Sequence, residues 1–135
     1  MQEYIHKVQY YETDRMGIVH HSNYIRWMEE ARVAFLERIG WSFARLEESG
    51  LVSPVTEVSC KYKTPCTFAD VITIKIYIES LGAVRARFRY IMKKGDATVC
   101  ECSSEHCFLD KQGNIVNLSK TCPEFFSELQ KHTND

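Results

Sequence analysis

A stretch near the start of the chain combines residue types that could act on a carbonyl group. Residues 10–24 read YYETDRMGIVHHSNY and contain the carboxylate of Asp14, then Gly17, then two adjacent histidines. Ser22 is a plausible N-cap, so the histidines stand where a helix is expected to begin. A helix start has backbone N–H groups without partners and a partial positive charge, which can stabilise an oxyanion. The pattern therefore predicts a carboxylate beside a site that activates an electrophile.

This combination meets the chemical needs of thioester hydrolysis. The reaction requires a carboxylate that attacks the carbonyl or deprotonates a water, and donors aimed at the developing negative charge. An aspartate on a loop more often caps a turn through its own backbone, so only the surrounding pattern favours a catalytic Asp14. For His20 and His21, packing within the turn is the alternative to a direct role of the rings.

The elements that would hold these residues follow from hydrophobic periodicity. Alternation over residues 4–10 predicts a first strand, and apolar residues at helical spacing predict a long helix over residues 23–39, capped by Gly40. The apolar stripe of this helix is wide, so we expect other structure to surround most of it.

The remainder of the chain is predicted to be mainly strand, with one apolar face on each strand. We predict helices at 42–49 and 123–132, strands at 55–63, 71–81 and 83–93, and a last strand ending near Leu109. Gly82, Gly95-Asp96 and residues 110–114 supply turns, which makes the last three strands an antiparallel meander. A sheet curled around the long helix is the simplest way to bury these faces, and it gives an α+β fold.

Length and charge narrow the possible classes of protein. The 135 residues contain no repeat or linker, so we expect one domain over residues 1–135. A net charge of -1 gives no general electrostatic footprint for nucleic acid. The first ten residues lack the apolar stretch of a signal peptide or spanning helix, so we expect a cytoplasmic protein with no membrane span.

The six cysteines are expected to be free thiols, because a chain of this size without an export signal has little need of disulfides. The only closely spaced pair, Cys100 and Cys102, has strand spacing and no C-x-x-C partner, so we expect no metal site. The chemistry described above needs no cofactor. The chain also lacks a G-x-S-x-G elbow and a glycine-rich phosphate loop, which argues against a serine hydrolase and a nucleotide-binding protein.

Residues 10–24 resemble the motif of the 4-hydroxybenzoyl-CoA thioesterase family of hotdog proteins, and more closely its branch of bacterial Tol-Pal-associated acyl-CoA thioesterases. The matching positions are Tyr10, Thr13, Asp14, Gly17, Val19, His20, His21, Ser22, Asn23 and Tyr24. Looser similarity extends from Val8 to about Leu109. The resemblance implies a hotdog fold, in which an antiparallel sheet of about five strands wraps around one long central helix. It also implies hydrolysis of an acyl-CoA. The family's benzoyl-pocket residues have no match in this sequence, so the resemblance does not imply an aromatic substrate, and the acyl group is left open as short-chain aliphatic or aromatic.

The resemblance implies roles for individual residues as well. Asp14 falls at the catalytic carboxylate, as nucleophile or general base, and His21 falls where a backbone N–H polarises the thioester carbonyl. His20 and Tyr24 would line the same turn and orient Asp14 or the substrate, and the loop would pass close to the substrate at Gly17. Members of the family are dimers or tetramers with active sites between subunits, so a homodimer or homotetramer is expected.

Basic residues on two predicted strands are candidates for binding the phosphates of coenzyme A. They are Lys61, Lys63, Arg85, Arg87 and Arg89. Arginine pairs bidentately with phosphate, but a polar sheet face in contact with solvent explains the row almost as well.

Two other functions remain open at this stage. The domain could bind an acyl group or an acyl carrier protein without turnover, or it could dehydrate a hydroxyacyl thioester, a reaction that pairs an aspartate with a histidine. Glu29 and Glu30 are the other carboxylates on the long helix, where a second group of hotdog thioesterases has its catalytic carboxylate. A solvated or interface-paired role is the simpler interpretation of both.

Overall fold

One antiparallel sheet supplies the framework of the structure, a computed structural model that describes residues 2–133. Its strands are β1 (Gln2–Lys7), β2 (Val55–Tyr62), β3 (Val71–Leu81), β4 (Arg85–Lys94) and β5 (Ala97–Cys107). They lie in the order β1-β3-β4-β5-β2, and every neighbouring pair is antiparallel. The consecutive β3, β4 and β5 form the predicted meander, with a tight turn at Gly95-Asp96 between the last two strands.

The helices are α1 (Ser22–Arg38), α2 (Phe43–Glu48), α3 (Leu118–Thr121) and α4 (Pro123–Lys131), and a short 3-10 helix covers Tyr10–Glu12. Helix α3 is not predicted by the sequence pattern, whereas α2 and α4 lie within the predicted ranges. In residues 2–133, no helix has both the length and the apolar character needed to cross a bilayer.

The ends of α1 are formed in two different ways. At its C-terminus, the Trp41 N–H donates to the Leu36 carbonyl at 2.8 Å and the Gly40 N–H donates to the Glu37 carbonyl at 3.1 Å. This is a Schellman motif, and Gly40 adopts the φ of +86° that such a motif requires. At the N-terminus, the predicted cap is wrong by one residue. Ser22 is the first helical residue and His21 is the cap, without a capping bond from its side chain.

Helix α1 packs one face against the inner side of the sheet. Trp27, Met28, Ala31 and Phe35 are buried there. The alternate residues of β3 and β4 face them, namely Ile72, Ile74, Ile76, Ile78, Ala86, Phe88, Tyr90 and Met92. The opposite face of α1 is exposed, including Arg26, Glu29 and Glu37. Eight of the seventeen residues of α1 are buried and three are half-buried, so the expectation that other structure surrounds most of this helix holds except for this exposed stripe.

Strand β2 differs from the other long strands. Among residues 2–133, it pairs only with β5 and forms an edge of the sheet. Its apolar residues are largely exposed, with 49% exposure for Val55 and 38% for Val58. The apolar face predicted for this strand therefore remains uncovered in one chain.

The first strand ends earlier than predicted because the chain turns inward at Glu12. The Glu12 carboxylate is 4% exposed, and it accepts hydrogen bonds from the Gln9 N–H at 2.8 Å and from Trp27 Nε1 at 2.7 Å. Its other contact is His6 Nε2 at 2.8 Å. These bonds close the 3-10 turn, so Tyr10 leaves the strand pattern and is 75% exposed. One carboxylate thus joins β1, the turn and α1.

Replacing Glu12 with glutamine should destabilise the protein. The amide of Glu12→Gln cannot accept from every donor that faces the carboxylate, so at least one buried donor loses its partner. We expect a loss of about 2–3 kcal/mol in the free energy of unfolding, measured by urea denaturation at neutral pH. Glu29→Gln, on the exposed face of α1, is the control and should change stability by less than about 0.5 kcal/mol.

The difference in the free energy of unfolding between the wild type and Glu12→Gln should depend on pH. Burial alone raises the pKa of Glu12, but hydrogen bonds from Gln9, His6 and Trp27 lower it on balance below its ordinary value of 4.5. A carboxylate with a lowered pKa stabilises the folded state above its unfolded pKa, and this contribution is lost as the pH falls through the folded pKa. The stability gap between the wild type and Glu12→Gln should therefore narrow below pH 4.5. A constant gap across this range would contradict an ionised Glu12.

Candidate active site

A cleft of about 340 Å³ opens beside the start of α1. Its walls come from the loop before α1, the first turn of α1 and the segment that follows β2. The lining residues are Asp14, Met16, Ile18, Val19, His21, Tyr24, Tyr62, Lys63, Thr64 and Pro65. Four of the predicted site residues therefore meet in one place, namely Asp14, His21, Tyr24 and Lys63.

The loop that carries Asp14 is a tight, internally bonded turn. The Asp14 N–H donates to the Ile18 carbonyl at 2.8 Å, and the Gly17 N–H donates to the Asp14 carbonyl at 3.0 Å. Gly17 has φ of +79°, a left-handed conformation that favours glycine. A bridge between Thr13 and Val19 closes the base of the loop. The loop is thus held by its backbone, and its lining side chains are presented to the cleft from a fixed frame.

The Asp14 side chain uses only one of its oxygens within this turn. Oδ1 accepts a hydrogen bond from the Met16 N–H at 2.8 Å. In the described part of the chain, residues 2–133, no hydrogen bond to Oδ2 is formed. The turn-capping role expected of any loop aspartate is therefore present, and it leaves the second oxygen available to a ligand in the cleft.

His21 stands at the junction of the loop and α1. As the N-cap it contributes its carbonyl to the Tyr24 N–H at 3.3 Å, and the Tyr62 hydroxyl donates to the same carbonyl at 3.4 Å. The His21 N–H donates to no acceptor within the described residues. His21 and Asp14 line the same cleft, and a free N–H at a helix start is a group that can bind a developing oxyanion.

Tyr24 lines the cleft but is nearly buried. Its hydroxyl donates to Cys66 Sγ at 3.6 Å. Burial, followed by the contact with Cys66, raises the pKa of this hydroxyl strongly, so it remains protonated at neutral pH. Its ring lies 5.2 Å from that of Tyr62, which joins α1 to the far wall of the cleft.

Gly17 and His20 lie next to the cleft without lining it. The ring of His20 is 4.2 Å from that of His21, and its Nδ1 accepts from the Ser22 N–H at 3.2 Å. His20 thus satisfies the backbone donor of Ser22, one of the free N–H groups at the start of α1. The role of His20 in substrate binding stays a prediction. In the structure its ring forms the hydrogen bond with the Ser22 N–H.

The basic residues predicted to bind the phosphates of coenzyme A do not lie together in the structure. Only Lys63 lines the cleft. Lys61, Arg87 and Arg89 line a separate depression of about 230 Å³ on the sheet. Arg87 lies 2.9 Å from Glu79, and Arg85 lies 3.9 Å from Glu105. The structure therefore pairs Arg85 and Arg87 with carboxylates, and Lys63 is the one predicted basic residue that lines the cleft with Asp14.

Part of the far wall was not assigned to the site from the sequence. Tyr62 and Pro65 lie within the looser similarity that extends to about Leu109, and that similarity implies no role for them in the site. They reach it because Val19 donates its N–H to the Cys66 carbonyl at 2.9 Å, and Ile18 bridges to Thr67. The signal in the sequence was the family match alone, since these pairings join segments far apart in the chain.

The sequence matches the model of the thioesterase-like superfamily over residues 8–130. The chain belongs to this superfamily. A protein of Aquifex aeolicus (strain VF5) is 38% identical over 125 residues, which cover 93% of this chain and 97% of that protein. A Bacillus subtilis (strain 168) protein named "Putative acyl-CoA thioesterase YneP" is 29% identical over 127 residues, covering 93% of this chain and 92% of that protein.

A solved thioesterase structure has the same architecture. The crystal structure of a DHNA-CoA thioesterase from Staphylococcus aureus superimposes with a TM-score of 0.91 at 25% identity, covering 96% of this chain and 88% of that one. The predicted α+β hotdog fold is confirmed, and the protein is a thioester hydrolase.

The loop of this thioesterase-like protein can be tested against an equivalent turn elsewhere in the chain. Asp110 to Gly113 repeats the Asp-x-x-Gly pattern, with Gly113 at φ of +87°. An added Cβ would meet no atom within 4 Å at Gly17 or at Gly113. Gly17→Ala and Gly113→Ala should therefore each lose about 1–2 kcal/mol of stability from backbone strain, measured by urea unfolding.

Only the first of these two substitutions should also slow thioester hydrolysis, because strain in the first loop displaces the Asp14 carboxylate. The measurement is the rate of thiol release by the folded fraction of each variant. Equal rates for both variants would show that the loop conformation does not position a reacting group.

Proposed function

We propose that the protein hydrolyses the thioester of an acyl-CoA, with Asp14 as the reacting carboxylate and the His21 N–H as the oxyanion donor. The observation that carries this proposal is the meeting of these two groups in one cleft, each with an atom left without a partner in residues 2–133. A carboxylate and an oxyanion donor are the minimum set for the reaction.

Asp14 can act in either of two ways. As a nucleophile, one carboxylate oxygen attacks the thioester carbon, the thiolate of coenzyme A leaves, and water then hydrolyses the mixed anhydride. As a general base, Asp14 takes a proton from a water that attacks the same carbon. In both cases negative charge develops on the carbonyl oxygen, where the start of α1 would stabilise it. Tyr24 is proposed to assist by holding the wall between Cys66 and Tyr62.

The lining of the cleft supports an apolar acyl group. Met16, Ile18, Val19 and Pro65 contribute apolar surface around the two reacting groups. The volume of about 340 Å³ is at the lower end for a site that encloses a small ligand. A short aliphatic or an aromatic acyl group fits this description, as in the acyl-CoA and DHNA-CoA thioesterases to which the chain is similar. Membership of the Tol-Pal-associated branch remains part of the proposal.

A homodimer or homotetramer is also part of the proposal, with active sites between subunits. The exposed apolar residues of β2 support it, since an unpaired edge strand with apolar side chains favours pairing with another chain. Tyr62, at the end of the same strand, is 50% exposed and lines the cleft. A partner seated against β2 would therefore extend the wall of the cleft.

The catalytic role of Asp14 is tested against its turn-capping role by a matched pair of variants. Asp110 caps its own turn through Oδ1, which accepts from the Gln112 N–H at 2.9 Å and the Asn114 N–H at 3.0 Å. Asp14→Asn and Asp110→Asn both keep the capping oxygen and remove the charge. Asp14→Asn should lower the rate of free coenzyme A release at least about a hundredfold, and Asp110→Asn should leave it unchanged.

The assay uses a panel of aliphatic and aromatic acyl-CoAs together with an acyl carrier protein loaded with the same acyl groups. Equal rates for the two variants would refute the assignment of Asp14. Tight binding without hydrolysis across the panel would favour a binding module, and an enoyl product from a hydroxyacyl thioester would indicate a dehydratase.

Lys63 is proposed to attract the phosphates of coenzyme A. It lines the cleft, and it forms no salt bridge within residues 2–133. Lys63→Gln should raise KM for an acyl-CoA by up to about fivefold with little change in kcat, and the effect should diminish at high salt. Lys61→Gln is the comparison, because Lys61 lies in the other depression beside Glu79 and Glu101. A larger effect at Lys61 would place the phosphates on the sheet instead.

A further inference from the structure

Three cysteines form a sulfur cluster on the inner side of the sheet, next to Tyr62 of the cleft wall. Cys60 of β2 lies directly opposite Cys102 of β5, and Cys100 lies two residues along the same strand. The three Sγ atoms are all within 4.8 Å of one another, and those of Cys100 and Cys102 are 3.1 Å apart. Met28 of α1 adds a thioether, with its Sδ 3.8 Å from Cys60 Sγ. We call these four residues the sulfur cluster.

The sulfur cluster combines a closed interior with one open side. Cys100 is 0% exposed and Cys102 is 4% exposed, so two thiols are withdrawn from solvent. Cys60 is half-buried on the edge strand and gives access from outside. All three thiols are free. A ligand could therefore reach the interior thiols past Cys60 without separating the sheet.

The distances between the sulfur atoms are close to those of a trigonal metal site. Sulfur ligands about 2.3 Å from one ion in a plane are separated by about 4.0 Å. The observed upper limit of 4.8 Å lies somewhat above this value, and the shortest separation of 3.1 Å lies below it. Small rotations of the three cysteine side chains about χ1 would bring the Sγ atoms to a separation of about 4.0 Å, with little movement of the strands.

The type of donor decides which ion the sulfur cluster would accept. Zinc in proteins favours four tetrahedral ligands from cysteine, histidine or carboxylate groups. Within residues 2–133, the sulfur cluster offers three cysteine ligands, and Met28 can add only a thioether. Thiolate and thioether sulfurs are soft donors that select Cu(I), an ion that is satisfied by two or three ligands.

We propose that Cys60, Cys100 and Cys102, with Met28 as a supporting donor, form a binding site for one Cu(I) ion. Binding replaces thiol protons with the metal and releases them to solvent, and no change of oxidation state is involved. The site contains neither Asp14 nor His21, but it borders the cleft, because the Tyr62 side chain contacts Cys60.

The test is an anaerobic titration of the reduced full-length protein with Cu(I) in competition with the chelator bathocuproine disulfonate. We expect one equivalent to bind, with a new ultraviolet absorption from thiolate-to-copper charge transfer. Zn(II), titrated separately against a zinc chelator, should bind much more weakly. Absence of stoichiometric Cu(I) binding, or preferential binding of Zn(II), would overturn the proposal.

Matched variants show whether the sulfur cluster is the site. Cys60→Ser should weaken Cu(I) binding by about a hundredfold or more. Cys122→Ser changes a cysteine of similar exposure outside the cluster and should bind as the wild type does. Met28→Leu keeps the volume of the side chain and should weaken binding by about tenfold, which provides a readout even if Cys60→Ser is poorly folded. Equal affinity of the Cys60→Ser and Cys122→Ser proteins would assign the copper to another part of the chain.

Discussion

The buried carboxylate of Glu12 is the constraint on which the geometry of the cleft depends. A charge held out of water must be satisfied by hydrogen bonds, and those of Glu12 come from β1, the 3-10 turn and α1 together. Its backbone carbonyl also accepts from the His20 N–H and from the Asn23 side chain. The loop between these contacts therefore has little freedom. Asp14 and His21 meet because both ends of the loop that separates them are fixed to this one residue.

The framework of the fold could be read from the sequence, because period-two and helical alternation survive wherever one face is buried. Strands β3 to β5 and the long helix are examples. The same method failed at the end of β1, since a pattern that counts Glu12 as polar places it in solvent. In the structure the Glu12 side chain is buried, and it accepts a hydrogen bond from Trp27 Nε1, fifteen residues further along the chain. Hydrophobic periodicity identifies buried apolar side chains. It does not identify a polar side chain that is buried because hydrogen bonds satisfy it.

The site was predictable only where the motif is local. Asp14 and Asp110 occupy the same kind of turn, each followed by a glycine with positive φ, and composition cannot separate them. Their difference is tertiary, because only the first turn is bridged to the segment after β2. The basic row shows the same limit. Alternation along a strand correctly groups its arginines on one face, but the pairing of Arg87 with Glu79 depends on the register of β4 against β3.

Strand β2 carries three features that are exposed in the single chain. Its edge is unpaired, its apolar side chains are exposed, and its last residue, Tyr62, forms part of the cleft wall. Cys60, on the same strand, gives the opening to the sulfur cluster. Charged residues help to protect an exposed edge strand, and β2 carries Glu57 and Lys61, but its exposed Val55 and Val58 leave apolar surface uncovered. A second chain that covered β2 would therefore shield the edge and deepen the cleft in a single step.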